Sequence, residues 1–288
     1  MIFVIRVLLL AAALYGAVVV LYLLVEPRKV YPAPKLDRFS LRKAAEVFGK
    51  AHAVDVQELA LRASDGVELY GWRVGAGAKL VLYFSGNGTA VSLPEGIYET
   101  FLERGLSVVH VSYRGYPGSE GRPSEQGLIR NAHAAWEEAL RTHKPDDIVV
   151  HGRSLGGGVA TGLLDALRLA GDPLPKALIL EATFTSAVDV ARESHPWLPV
   201  DLLMRNRFLT LERLPSLELP TLIFHGKGDK TIPYVHAERL AACVPHAELY
   251  AASATLNHKD WLLQDPVVRE AHAQFLARVF PADGAVSD

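Results

Sequence analysis

The most apolar stretch of the chain is VLLLAAALYGAVVVLYLLV, Val7 to Val25, which carries no charge and is long enough to cross a bilayer as a helix. A cleaved signal would have a shorter apolar core followed by small residues, whereas EPRKVYPAPK follows here. Residues 4–25 therefore read as a retained transmembrane anchor and 26–50 as a linker and leading segment. That linker reads as too polar and proline-rich to pack the anchor onto the rest, so a chain beginning near Lys35 is expected to fold by itself. Arg6 lies on one side of the run and Arg28, Lys29, Lys35, Arg38, Arg42 and Lys43 on the other. That asymmetry favours a single-pass protein whose main domain faces the cytoplasm.

Beyond residue 50 the pattern alternates between strand and helix. VQELALRASDGVELYGWRV predicts two strands joined around Asp65-Gly66, a good hairpin pair. KLVLYF, LSVVHVSY, DIVVHG, KALILEA, TLIFHG and AELYAA are further strands. Between them PEGIYETFLERG, PSEQGLIRNAHAAWEEALRTH, GGVATGLLDALRLAG and YVHAERLAACV read as helices, Ser124 being a candidate N-cap. WLLQDPVVREAHAQFLARVF closes the chain as an amphipathic helix. The alternation predicts one α/β domain over 51–288, a mostly parallel doubly wound sheet with the hairpin as an antiparallel N-terminal edge. Phe184 to Glu218 departs from it, being rich in apolar residues and prolines without strand character.

Composition narrows the function classes. Half of the 288 residues are hydrophobic and 22% are charged, which excludes a disordered chain. A formal net charge of −2 gives no electrostatic reason to expect nucleic acid. The single cysteine, Cys243, excludes an intramolecular disulfide framework and a multi-cysteine metal site, and reads as buried and inert.

The candidate chemistry centres on HGRSLGGG. Gly152-Arg153-Ser154-Leu155-Gly156 matches G-x-S-x-G, follows an apolar strand and opens a helix, the context in which the motif holds a serine on a sharp corner. A serine needs a base and the base an orienting acid, in the chain order Ser, acid, His. Asp229 in HGKGDKTIP lies just past a strand, and His258 in TLNHKDW lies between the last strand and the last helix. Glu181, ending KALILE, is a second candidate acid. Asp260 stands too near His258 to orient it, His225 is placed to support the Asp229 turn, and His151 to pack beneath the corner. His133, His143, His236 and His272 fall on helices without ligand spacing, so no metal is expected. An oxyanion would take backbone N–H groups from Leu155 and from the loop Ser85-Gly86-Asn87-Gly88, Asn87 first and Gly86 next. Those glycines do not form a phosphate loop, since neither a following Lys-Ser/Thr nor G-x-G-x-x-G is present.

Taken in order, YFSGNG, SYRGYPGSEGRPSEQGL, GRSLGGGVA, FTS, HGKGDKTIP and NHKDW resemble the α/β-hydrolase superfamily. They are similar in particular to its membrane-anchored group that includes α/β-hydrolase domain-containing proteins 13 and 17. The resemblance spans roughly Gln57 to Phe280. It implies an α/β-hydrolase fold with a small helical cap over about 184–217, and Ser154 as nucleophile, Asp229 as acid and His258 as base. It also implies an oxyanion hole near Asn87. No cofactor is expected. Ser85 stands where that group usually has His, and Ser112 where it has Asp.

The cap segment supplies Trp197, Leu198, Leu202, Leu203, Met204 and Phe208, an apolar set suited to an acyl chain. With the anchor beside a bilayer, the expected function is a membrane-anchored serine esterase or thioesterase acting on a small-molecule or lipid acyl substrate. The alternatives are a serine peptidase or aminopeptidase, which often has an acidic group to grip an amino terminus, and a non-catalytic scaffold, which usually lacks a triad residue.

Overall fold

The chain is described by a computed structural model at residues 1–92 and 96–281, the side chains of 23–29 excepted. Helix α1 (Ile2–Val30) leads, followed by α2 (Arg38–His52) and the hairpin strands β1 (Val56–Arg62) and β2 (Glu68–Val74). Then come β3 (Lys79–Phe84), α3 (Ile97–Leu102), β4 (Leu106–Val111), α4 (Glu125–Leu140), β5 (Ile148–Arg153), α5 (Leu155–Ala170) and β6 (Ala177–Glu181). Three short helices, α6 (Ala187–Ser194), α7 (Val200–Leu203) and α8 (Thr210–Arg213), occupy the irregular segment. The chain closes with β7 (Thr221–Gly226), α9 (Val235–Ala242), β8 (Glu248–Ala252) and α10 (Pro266–Val279). The first residues of the helix expected from Pro94 lie outside the described residues.

The eight strands form one sheet in the order β1-β2-β4-β3-β5-β6-β7-β8. β2 pairs antiparallel with β1 and with β4, and every later pair is parallel. Both faces are covered, which explains why the central strands read as unbroken apolar runs. Leu80, Leu82 and Phe84 of β3 point to the layer of α4, α5 and α9, whereas Val81 and Tyr83 point to the layer of α2, α3 and α10. Because all the parallel strands point the same way, the loops after β3, β5, β7 and β8 gather at one end of the sheet, where ligands of such sheets bind.

Local signals set the helix ends. The Ser124 hydroxyl accepts the Gly127 N–H at 3.2 Å, and Asp265 accepts the amides of Val267 and Val268. Each such cap contributes about 1 kcal/mol. The cap segment is clamped to the start of α4 by Glu125. Its carboxylate accepts the backbone N–H groups of Arg207 and Phe208, at 2.7 and 3.0 Å, and the Arg213 guanidinium at 2.8 Å. These bonds hold Phe208 at φ 44°, a left-handed conformation that a bulky residue adopts only under constraint.

Four expectations are corrected here. The helix does not stop at Val25-Glu26-Pro27 but runs to Val30, because polar residues end an apolar span without ending a helix. Residues 38–52 are helix rather than linker. The Asp37 carboxylate caps the Ser40 N–H, and Leu41 and Ala45 are buried against the sheet. Nor is α1 independent of the domain: Tyr31, one residue past its end, is buried in the core with its ring edge-on to Phe208. Cys243 is half-buried rather than buried, and partial burial pushes its thiol up.

Candidate active site

Ser154 sits between β5 and α5 with φ 53° and ψ −119°, a strained conformation for a non-glycine residue, costing on the order of 1–3 kcal/mol. The corner closes because its flanking residues lack side chains. A Cβ on Gly152 would lie 2.4 Å from the Gly156 carbonyl oxygen, and one on Gly156 would lie 1.9 Å from that of Phe84. The Ser154 N–H donates to the Glu181 carbonyl at 2.8 Å, and the Thr183 hydroxyl donates to the Ser154 carbonyl at 2.7 Å. The hydroxyl is thereby aimed away from the strand at a fixed angle.

The loops after β7 and β8 bring two further groups to it. His258 Nε2 lies 2.9 Å from Ser154 Oγ, and His258 Nδ1 lies 2.7 Å from Asp229 Oδ2. Asp229 Oδ1 accepts the amides of Thr231 and Ile232, each at 2.8 Å, which fixes the carboxylate plane. Its side chain is wholly buried, and burial alone would raise its pKa. Hydrogen bonds from His225 and His258, the charge of His258 and the Ile232 amide outweigh that and hold the carboxyl well below the usual range. An ionised carboxylate only accepts, so His258 Nδ1 carries the proton and Nε2 turns a lone pair to the serine hydroxyl. His225 Nε2 lies 2.8 Å from the Ile232 carbonyl and 3.2 Å from Asp229 Oδ2, bracing the turn as expected.

Glu181 is not in this run of hydrogen bonds. It is buried beside the corner, 3.0 Å from His151 Nε2 and 3.4 Å from Arg153 Nε. Burial would raise its pKa, but the Arg153 guanidinium and the His151 hydrogen bond hold it below the ordinary value. Arg153 was not singled out from the sequence, yet it joins these parts. Its guanidinium donates to the carbonyls of His258 and Asp260, at 3.1 and 2.9 Å, tying the histidine loop to β5. Asp260 accepts the Asn257 N–H at 2.6 Å and so tightens the same loop. His236 bridges Thr185 and Glu193, His143 contacts the Gly77 carbonyl at 3.0 Å, and His272 is buried.

The loop after β3 passes directly over the serine, since a Cβ on Gly86 would lie 3.3 Å from Ser154 Cβ. Ser85 takes part in a buried relay. The Tyr98 hydroxyl donates to the Val91 carbonyl and therefore accepts from His110 Nδ1 at 2.9 Å, which leaves His110 Nε2 to accept the Ser85 hydroxyl at 3.1 Å. The imidazole of this relay comes from β4. The Tyr113 hydroxyl also holds the Ser85 carbonyl, and the Asn87 side-chain amide donates to the carbonyl of Val30 at the end of α1. Leu155, the first residue of α5, presents an N–H that has no partner within its helix.

Burial drives the His110 pKa down to about 3, and that of His272 well below its usual value. The unfolded chain therefore binds more protons below about pH 6.5, and stability falls as pH drops toward the folded value. Denaturant titration in detergent micelles should show about 2–3 kcal/mol lost between pH 7.5 and 4.5 from His110 alone. Stability independent of pH across that window would contradict a buried neutral His110.

A cavity of about 720 Å³ opens above Ser154 and His258. Its apolar wall comes from Phe184, Ala187, Val190, Met204 and Ile232, joined by Tyr22 and Val30 of α1. Five residues expected to form an acyl pocket are placed elsewhere. Leu198 and Leu203 belong to the apolar cluster within the cap, and Phe208 packs into the core beneath α5. Trp197 and Leu202 are exposed. Of the cap residues named from the sequence, Met204 alone lines the cavity. Among the described residues, no group of three or more His, Cys, Asp or Glu is placed to hold a metal ion.

No family profile matches the chain. An uncharacterised protein of Mycobacterium tuberculosis is 34% identical over 227 residues, covering 76% of this chain and 79% of its own. The α/β hydrolase domain-containing protein WAV2 of Arabidopsis thaliana is 28% identical over 249 residues, 78% of this chain and 80% of its own. An esterase of Pyrococcus furiosus superposes with a TM-score of 0.64 at 17% identity, over 80% of this chain and 93% of its own. The chain belongs to the α/β-hydrolase superfamily. Another relative of this α/β-hydrolase is named the lysophosphatidylserine lipase ABHD12 of Danio rerio, 32% identical over 197 residues. That match covers 62% of this chain and half of the lipase. These relatives establish the superfamily without singling out the narrower group of proteins 13 and 17.

Proposed function

We propose that this α/β-hydrolase is a membrane-anchored serine hydrolase that cleaves carboxylic esters or thioesters of acyl or lipid type. The observation that carries the reading is the unbroken run of hydrogen bonds from Ser154 Oγ through His258 to Asp229, at the foot of an apolar-walled cavity. In this mechanism Ser154 Oγ attacks the substrate carbonyl while its proton passes to His258 Nε2. Asp229 holds the imidazole in the productive tautomer and stabilises the imidazolium. The oxyanion takes the backbone N–H groups of Leu155 and Asn87. Collapse breaks the bond to the leaving alcohol or thiol, which receives the proton from His258, and leaves an acyl-Ser154. Water, deprotonated by the same imidazole, then releases the acid and restores the serine.

The lipid class is supported by the apolar wall, by a relative named as a lipase, and by α1. Its stretch Ile2–Tyr22 is long and apolar enough to cross a membrane. The excess of Lys and Arg after the span supports a cytoplasmic-facing domain. A peptidase that grips an amino terminus is disfavoured, because no Asp or Glu is among the described residues lining the cavity. Rates on p-nitrophenyl esters, acyl-thioesters and aminoacyl amides of matched acyl length separate the readings. Turnover of esters or thioesters with inert amides is expected; cleavage of the amides alone would turn the assignment to a peptidase.

A further inference from the structure

We infer that the end of the membrane helix is itself a wall of the acyl site, so that a single-chain acyl substrate enters from the bilayer surface alongside α1. This rests on reading Ser154 as the nucleophile and Ile2–Tyr22 as the span. Tyr22 lies near the C-terminal end of the apolar run, and it is only 8% exposed. It packs with Val188, Leu198, Val200 and Met204 of the cap, and it also lines the cavity above Ser154. Higher on the same helix, the Tyr15 hydroxyl donates to the Trp197 carbonyl at 3.2 Å. At the lower end the Val30 carbonyl is held by Asn87, in the loop that crosses the serine. α1 thus contributes Tyr22 and Val30 to the wall of the cavity that holds the reacting hydroxyl, and Tyr15 ties the helix to the cap above it.

The cap beside this helix carries two exposed apolar side chains, Trp197 at 56% and Leu202 at 86%. In water both are unfavourable. At a bilayer surface Trp is a preferred residue, and leucine gains by leaving water. Tyr22 is edge-on to His195, and His195 to Trp197, so the exposed tryptophan and the cavity wall belong to one packed unit. A volume of about 720 Å³ lies within the roughly 300–1,000 Å³ of small-ligand pockets. A flexible acyl chain that leaves the bilayer along α1 meets Tyr22, Val30, Val190 and Met204 on the cavity wall. A short water-soluble ester has no use for that wall.

The test uses the full-length protein in phosphatidylcholine vesicles and a hexadecyl fluorophosphonate with a diazirine at the chain end. Phosphonylation of Ser154, with loss of fluoride, comes first; without it the nucleophile reading fails and the wall is not at issue. Irradiation of the labelled protein is then expected to crosslink the chain to peptides carrying Tyr22, Val30 or Met204. Crosslinks confined to peptides outside α1 and the cap would overturn the inference while leaving the nucleophile standing. Kinetics give a second readout. Tyr22→Ala is expected to lower the ratio of kcat/KM for p-nitrophenyl palmitate over butyrate about tenfold, with rates normalised to the fraction that labels at Ser154. An unchanged ratio would equally dismiss Tyr22 as a wall of the site.

Discussion

Replacing His258 with alanine is expected to lower kcat by about 10⁴-fold or more with the fold intact, because Ser154 then has no base within reach. The side chain is partly exposed on a loop whose shape is set by its backbone bonds to Arg153 and by Asp260, so its loss leaves the packing largely unchanged. Asp229→Asn is expected to cost about 10³–10⁴-fold by a different route. Its remaining oxygen still accepts the amides of Thr231 and Ile232, which turns the new NH₂ toward His258 Nδ1. The imidazole must then carry its proton on Nε2 and face Ser154 as a donor. Glu181→Gln is expected to stay within about tenfold of the parent, since Glu181 contacts His151 and Arg153 and reaches the histidine loop only through the latter. Single-turnover rates on one ester decide the matter. A dead Glu181→Gln beside a near-normal Asp229→Asn would transfer the acid to Glu181.

Removing the first 34 residues is expected to damage the domain, contrary to the reading of 26–50 as a passive linker. A chain beginning near Lys35 loses Tyr31 from the core and the Val30 carbonyl that holds Asn87. Deleting a buried aromatic costs roughly 3–5 kcal/mol, and each kcal/mol lowers Tm by about 2–4 °C in a domain of this size. A chain beginning at Glu26 keeps both contacts and is expected to melt about 6–20 °C higher. It should also hydrolyse a short-chain ester faster, because the loop over Ser154 keeps its anchor. Equal melting points and equal rates for the two chains would show that Val30 and Tyr31 are not part of the folded domain.

What could be read from residues alone follows from which interactions are local. The strands announced themselves because a sheet covered on both faces needs continuous apolar runs such as LVLYF and ALIL. The order of Ser154, Asp229 and His258 was legible because each follows a strand, and parallel strands deliver their following loops to one end. Helix α2 was hidden: it buries only Leu41 and Ala45, while Phe39 and Val47 are exposed and blur its pattern. The acyl-pocket residues failed for another reason. A composition rich in Leu and Trp does not say which side chains face a cavity, and the turn held by Glu125 sends Phe208 into the core. Arg153 occupies the variable position before the serine, where sequence carries no signal. Its role depends on carbonyls more than a hundred residues away.

The central claim is that Ser154 is the nucleophile, and covalent labelling tests it most directly. The full-length protein treated with a fluorophosphonate should gain one adduct, located by peptide mass spectrometry on the segment containing Ser154, and Ser154→Ala should gain none. Labelling that persists in the alanine variant, or an adduct on Ser85, would contradict the account.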